Sequence, residues 1–501
     1  MPFDALAELD ACALAALIRR GELSAAEVLD ATLRRLDALN PRLGAVVFDW
    51  REQAREQARE QARAAPAGAF AGVPFLLKDI GQDLAGLPAT LGSRALRALR
   101  AERSAALVRR WSAAGLLMLG KTSIPEFGLK AVTESALFGP CRNPWNLRLS
   151  PGGSSGGAAA AVAARIVPAA GASDGGGSIR IPAAYCGLVG LKPSRGRVSD
   201  APLAGELWDG AVCSHALTRS VRDSAALLDI ACGAEPGDPY VAAPPARRFL
   251  DEVGADCGVL RIGVTAESPL GGAVHPDMRA AVNAAAELLQ QLGHRVEPAA
   301  PRIDGAALAR AYLTMVYGQT AALLRWCRDV HGARDADFEL DTRALAALGE
   351  ALPAAAYALQ RQQWNAFARA LAAFHAEHDL LLTPTTAQPA PAIGELDTPP
   401  AQRAALRALL ALGQGGLLRR SGAVDELAQR SLARTPFTQL ANLTGTPAIS
   451  LPLHWNAEGM PVGVQLHAAW GREDLLLRVA AQLELARPWQ QHRPPLATPE
   501  D

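Results

Sequence analysis

The stretch SPGGSSGGAAAAVAARIVPAAGASDGGGSIRIP, residues 150–182, sets two Gly/Ser clusters on either side of an Ala-rich run with helical character. Consecutive glycines let backbone N–H groups converge on an anion. SPGGSSGG (150–157) and DGGGSIRIP (174–182) therefore read either as phosphate cradles or as an oxyanion hole beside a nucleophilic serine. Neither contains G-x-x-x-x-G-K-[ST], and neither shows G-x-G-x-x-G after a strand, so no known phosphate fingerprint fits. Ser154, Ser155 and Ser178 are the candidate nucleophiles.

Outward from this segment, short apolar runs such as VPFLL (73–77), LLMLG (116–120) and GLVGL (187–191) alternate with Ala-rich helical stretches such as Ser104 to Ala114. That texture predicts an α/β fold with buried strands. AISLPL (448–453) and PVGVQLHA (461–468) read as further strands, and GREDLLLRVAAQLE (471–484) as a closing helix. Residues 3–40 read as two helices, with Ser24 and Glu27 forming a capping box. Ser220 with Asp223 opens another helix. REQAREQAREQARA (51–64) spaces Glu and Arg at i,i+3 and reads as a solvated helix without function. Residues 340–435 are Ala/Leu/Arg-rich and helical, interrupted by a proline-rich loop, TPTTAQPAPAIG, at 383–394. No linker of disordered composition divides the 501 residues, which predicts one large domain.

Composition excludes several function classes. Fifty Lys plus Arg balance fifty Asp plus Glu, so a nucleic-acid or anionic-membrane partner gains no electrostatic support. The seven cysteines, at 12, 141, 186, 213, 232, 257 and 327, never form C-x-x-C; free thiols in a reducing compartment are the simpler reading than disulfides or zinc. The acidic N-terminus lacks an export signal and no apolar run spans a bilayer, so a cytoplasmic location is expected.

A serine nucleophile needs a base. All nine histidines follow both Gly/Ser loops, and His375 with His378 lack the H-E-x-x-H pattern of a metal site. Only four of the fifty cations are lysines: Lys78, Lys121, Lys130 and Lys192. Lys78 ends the apolar run GVPFLLKD, where burial lowers an ammonium pKa toward neutrality, and it is the base candidate.

Taken together, GVPFLLKD (72–79), GKTSIPEFG (120–128), NPWNLRLSPGGSSGGAAAAVAA (143–164), ASDGGGSIRIPAAYCGLVGLKPSRGRVS (172–199) and FTQLANLTGTPAISLPL (437–453) resemble the amidase signature family. The resemblance spans residues 5–490. It implies a central mixed, twisted β-sheet between helical layers, with N-terminal helices at 1–70, a signature core at 71–240, a variable helical segment at 305–435 and C-terminal strands and helix at 437–490. By motif position it implies Ser178 as nucleophile, Ser154, preceded by a cis peptide, as bridging serine, and Lys78 as base. The oxyanion hole maps to the N–H groups of Gly175, Gly176, Gly177 and Ser178. The family commonly has Thr or Ile where this chain has Gly175, a change that leaves backbone donation intact but frees the loop. No cofactor or metal is implied.

Within the family, the run DGGGSIRIPAAYCGLVGLKPSRGR most resembles hydrolases of the 6-aminohexanoate cyclic dimer type and their relatives on aryl amides or carbamates. The expected substrates are uncharged, fairly hydrophobic small-molecule amides, with esters and carbamates of similar shape. The alternative is a glutamine amidotransferase subunit supplying ammonia for aminoacyl-tRNA transamidation. That type usually carries Gln where this chain has Ile181. Leu129, Trp145, Ile181 and the stretch Tyr312 to Thr320, Tyr317 included, are candidate substrate contacts. Lys121, Lys192, Asp174 and Arg180 are expected to brace loops, and Ser155 and Cys186 to be structural. Oligomeric state is left open, a homodimer among the options.

Overall fold

The computed structural model describes residues 3–64, 68–411, 429–430 and 432–497. Its strands, in chain order, are β1 (Val46–Asp49), β2 (Pro74–Lys78), β3 (Leu117–Thr122), β4 (Glu134–Ser135), β5 (Gly139–Pro140), β6 (Ala169–Asp174), β7 (Val189–Lys192), β8 (Cys213–Thr218), β9 (Arg261–Val264), β10 (Arg295–Pro298), β11 (Leu380–Pro384), β12 (Ala448–Trp455) and β13 (Pro461–Ala468). Eleven of them form one sheet in the order β1-β3-β2-β6-β8-β7-β12-β13-β11-β9-β10, and β4 pairs with β5. Pairing is parallel between β3 and β2, β2 and β6, β11 and β9, and β9 and β10, and antiparallel elsewhere, so the sheet is mixed as expected.

Alternation along the central strands explains the layers. In β2, Phe75 and Leu77 join one buried cluster while Leu76 joins the other; in β3, Met118 and Leu119 divide the same way. Each face must then be covered. Residues of the helices Val221–Ala231, Pro276–Gln291 and Glu473–Ala486 fill the first cluster. Ala25–Leu43 and the fully buried Gly156–Ala163 fill the second.

The N-terminal reading needs correcting, because residues 3–43 form three helices, Phe3–Glu8, Ala11–Arg19 and Ala25–Leu43, rather than two. The extra break is made by Asp10, whose side chain accepts from the Ala13 N–H at 2.9 Å and caps the second helix. The Ser24–Glu27 capping box forms as read, as does the Ser220 cap on Asp223 N–H. Within the helical segment 305–435 lie Gly305–His331, Leu340–Glu350, Ala354–His375 and Pro400–Ala411. The part of that segment at 412–428 and 431 lies outside the described residues. Strand β11 runs into the start of the stretch read as a proline-rich loop, ending at Pro384. Leu308, Ala311, Met315 and Val316 pack with Trp364 and Phe367, holding the helix Gly305–His331 over the sheet's central loops.

Candidate active site

Lys78 is the last residue of β2, where the parallel strands β3 and β6 flank it. Its backbone N–H donates to Gln82 Oε1 at 2.9 Å, and Gln82 Nε2 donates in turn to Ala172 O at 3.1 Å. This ties the end of β2 to β6. Close approach requires Gly171, since a Cβ there would overlap the Gln82 amide.

The fully buried Lys78 Nζ lies 2.8 Å from Ser154 Oγ, 3.0 Å from Ser173 Oγ and 3.1 Å from Ser173 O. Burial brings its pKa down to about 7, against the opposing pull of the Asp174 carboxylate. No carboxylate sits within ion-pair distance of it among the described residues, unlike Lys121, which meets Asp83 at 2.9 Å. Ser154 follows a cis peptide after Gly153, as the resemblance implies. Ser154 and Ser173 line a cavity of about 1000 Å³ together with the half-buried Ser178.

The loop 175–178 is held rigidly from behind. Arg180, with no exposed surface, forks onto Asp174 through Nε and Nη2, each at 2.9 Å. It also donates to Thr438 O, Gln465 Oε1 and Asn442 Oδ1 at 2.7–2.8 Å. Burial pushes the Asp174 carboxyl up, but the Arg180 charge and hydrogen bonds, with Asn442, overcome this and hold it well below the usual carboxylate range. Thr438 Oγ1 donates to Gly176 O at 2.6 Å. Asp174 and Arg180 therefore brace the loop, as read from the sequence. Ser155 does likewise, its N–H meeting Ser178 O at 3.3 Å.

One oxyanion candidate is corrected by this bracing. The Gly177 N–H already donates to Asp174 Oδ1 at 2.6 Å, so it is engaged away from the cavity. The N–H groups of Gly175, Gly176 and Ser178 have no acceptor among the described residues. Of the four N–H groups expected at an oxyanion hole, three are thus free of a protein acceptor among the described residues.

Leu129 and Ile181 line the cavity as expected. Trp145 does not: its Nε1 donates to Cys186 O at 2.9 Å and its ring packs on Trp455. Tyr317 is also absent from the wall, buried instead with Leu313, Ala344 and Leu348. From the same helix, Tyr312 and Val316 reach the cavity. His375 and His378 lie outside it, with His378 Nε2 2.9 Å from Glu297 Oε1. His331 is the histidine on the wall, exposed at the mouth beside Trp326. The sequence reading missed Ser173, which holds Lys78, and Asn442, which bonds both the backbone and the carboxylate of Asp174.

A family described as Amidase matches residues 27–477. The chain belongs to the amidase signature family. The 6-aminohexanoate-cyclic-dimer hydrolase of Pseudomonas sp. (strain NK87) is 39% identical over 508 residues, covering 98% of this chain and 97% of that protein. A solved structure of 6-aminohexanoate cyclic dimer hydrolase complexed with substrate matches with a TM-score of 0.89 and 37% identity, over 98% of this chain and 100% of its own. A bacterial aryl acylamidase structure of the amidase signature family gives a TM-score of 0.84 and 27% identity, over 98% and 99% of the two chains. This protein is accordingly an amidase, a hydrolase of amide carbon–nitrogen bonds. Among the described residues, no helix of this amidase is long and apolar enough to cross a membrane, and its seven cysteines are free thiols.

Proposed function

We propose that this amidase cleaves uncharged, fairly hydrophobic amides through an acyl-enzyme on Ser178, with Ser154 as relay and Lys78 as base, on a single domain in the cytoplasm. The observation that carries the reading is the buried Lys78 ammonium, unpaired and 2.8 Å from Ser154 Oγ at the edge of a cavity that Ser178 shares. Neutral Lys78 takes the Ser154 proton as Ser154 takes that of Ser178, and Ser178 Oγ adds to the amide carbonyl. The N–H groups of Gly175, Gly176 and Ser178 receive the resulting oxyanion. Run in reverse, the relay protonates the departing nitrogen, after which water hydrolyses the ester.

The proton balance fixes the sign of the pH dependence. The base works only when deprotonated, so kcat/KM is expected to rise as pH increases through about 7 and to level off on the alkaline side. A kcat/KM profile that falls across this range contradicts a lysine base. Chelators are expected to leave the rate unchanged.

Substrate class follows from the wall. Leu129 and Ile181 present hydrocarbon, while Lys130 is already paired with Glu339 and Asp341, and Arg434 with Glu395. Glu102, Arg103 and Glu206 also line the cavity but are exposed to water, so a zwitterion such as glutamine has to shed water from two charges beside Leu129 and Ile181 with no buried free counter-charge among these groups. Linear, cyclic and aryl amides of low polarity suit the cavity better, as do esters and carbamates of similar shape. The test compares kcat/KM for glutamine with that for a neutral anilide and for a cyclic diamide, using the isolated chain. At least a hundredfold preference for the neutral amides is expected; a preference for glutamine restores the amidotransferase reading.

A further inference from the structure

The helix Gly305–His331 brings Tyr312 to the front of the loop that Asp174 and Arg180 brace from behind. A Cβ placed on Gly176 would overlap the Tyr312 hydroxyl oxygen and crowd its ring carbons. The hydroxyl therefore lies directly against the middle of the oxyanion loop, in space that only glycine leaves open. It packs against the apolar cluster that contains Leu308, Ala311, Met315 and Val316, as Trp208 and Leu129 do, so the phenol is fixed by apolar neighbours rather than by hydrogen bonds. Among the described residues no group donates to or accepts from Tyr312 Oη, whereas the hydroxyl of Tyr185, on the same cavity wall, donates to Gln388 O at 3.0 Å. A phenol facing a largely apolar cavity without a protein partner is an expensive arrangement unless a bound molecule satisfies it.

We propose that Tyr312 touches the substrate, its hydroxyl donating a hydrogen bond to the carbonyl oxygen of the amide being cleaved, beside the backbone donors Gly175, Gly176 and Ser178. This rests on the reading of Ser178 as nucleophile, because that assignment puts the carbonyl at the Gly176 loop. Burial pushes the Tyr312 phenol up, so it keeps its proton throughout the working range. A neutral donor then meets an oxygen that gains charge as Ser178 adds, and the bond strengthens on the way to the tetrahedral intermediate. Such a contact acts on kcat more than on KM. The same geometry explains why Gly176 tolerates no side chain: a methyl group would displace the donor.

The experiment is Tyr312→Phe, which removes one oxygen and keeps the ring against the cluster of Leu308, Ala311, Met315 and Val316. Thermal unfolding is expected to be unchanged. With a neutral anilide, kcat is expected to fall by about 100-fold and KM to move by less than about threefold, at the low end of the range set by single oxyanion donors. A trifluoromethyl ketone, whose hemiketal carries the oxyanion, is expected to lose affinity by the same factor as kcat/KM. The proposal is overturned if kcat stays within twofold of the parent, or if only KM rises, since a packing role gives either result. It is also overturned if the ketone binds the variant as tightly as the parent. Ser178→Ala run in parallel separates the two readings: activity surviving that change sinks the nucleophile assignment, whereas loss in Ser178→Ala with none in Tyr312→Phe sinks the tyrosine alone.

Discussion

Ser178→Ala is expected to lower kcat by about 10⁴-fold or more, with the fold intact, because Ser178 is half-buried at a cavity wall and its hydroxyl makes no hydrogen bond among the described residues. Lys78→Ala should fall by a similar factor. The two losses are not expected to add: once the nucleophile is gone, a proton acceptor for it has nothing to do, so the double variant should be little worse than either single one. Lys78→Arg discriminates between charge and basicity. Guanidinium remains protonated at any working pH and cannot accept the Ser154 proton, so this variant should be as inactive as Lys78→Ala. Burst kinetics with an ester of the same acyl group provide the direct measurement, since the acyl-enzyme needs Ser178 Oγ. Full turnover by Ser178→Ala would falsify the proposed chemistry outright.

What was legible in the sequence follows from how each element is buried. Strands β2, β3, β12 and β13 are read correctly because their apolar runs include Phe, Ile, Val and Leu residues that fit a buried sheet. Strand β6, Ala169–Asp174, goes unread because AAGASD has no branched or aromatic residue. Its composition is dictated by neighbours: Gln82 lies where a side chain on Gly171 would stand. The same cause hides Ser173, which sits on that unread strand and holds Lys78. Lys78 itself was legible because an ammonium at the end of an apolar run in a chain so poor in lysine invites a chemical explanation.

Side-chain direction was less legible than residue type. Tyr312 and Tyr317 are five residues apart, about 140° around an α-helix, so no more than one of them faces the site squarely. Nothing in the local pattern shows which face of a 27-residue helix with apolar residues all round is turned to the cavity. Gly177 is different, because a signal was present. An Asp three residues ahead of a glycine offers its carboxylate to that residue's N–H, as side chains do at turns and caps, and Asp174 does this to Gly177.

Loss of Arg180 should produce the largest change in stability. Arg180→Leu leaves the Asp174 carboxylate fully buried with the N–H groups of Gly177, Ile179 and Arg180's own position, plus Asn442, but without its ion-pair partner, Lys192 acting only from beyond contact. Removing one partner of such a pair costs about 3–5 kcal/mol, since the remaining charge must be kept out of water alone. Arg180→Lys should recover little, because an ammonium cannot reproduce the fork to both carboxylate oxygens while also reaching Thr438, Gln465 and Asn442. Pairing Arg180→Leu with Asp174→Asn removes the stranded charge, and the double variant should be more stable than Arg180→Leu alone. Acid should act in the same direction as the mutation. The Asp174 carboxyl is depressed in the folded chain, so its contribution is complete above the ordinary aspartate value of about 3.9 and is lost as pH falls toward the lower folded one. Denaturant unfolding at neutral pH measures the first effect and its pH dependence the second. An Arg180→Leu variant as stable as the parent, or less stable than parent by the same amount with and without Asp174→Asn, would show that the pair does not hold the loop. Because that loop carries Gly175, Gly176 and Ser178, any variant that folds should also lose kcat in proportion to how far it loosens these donors.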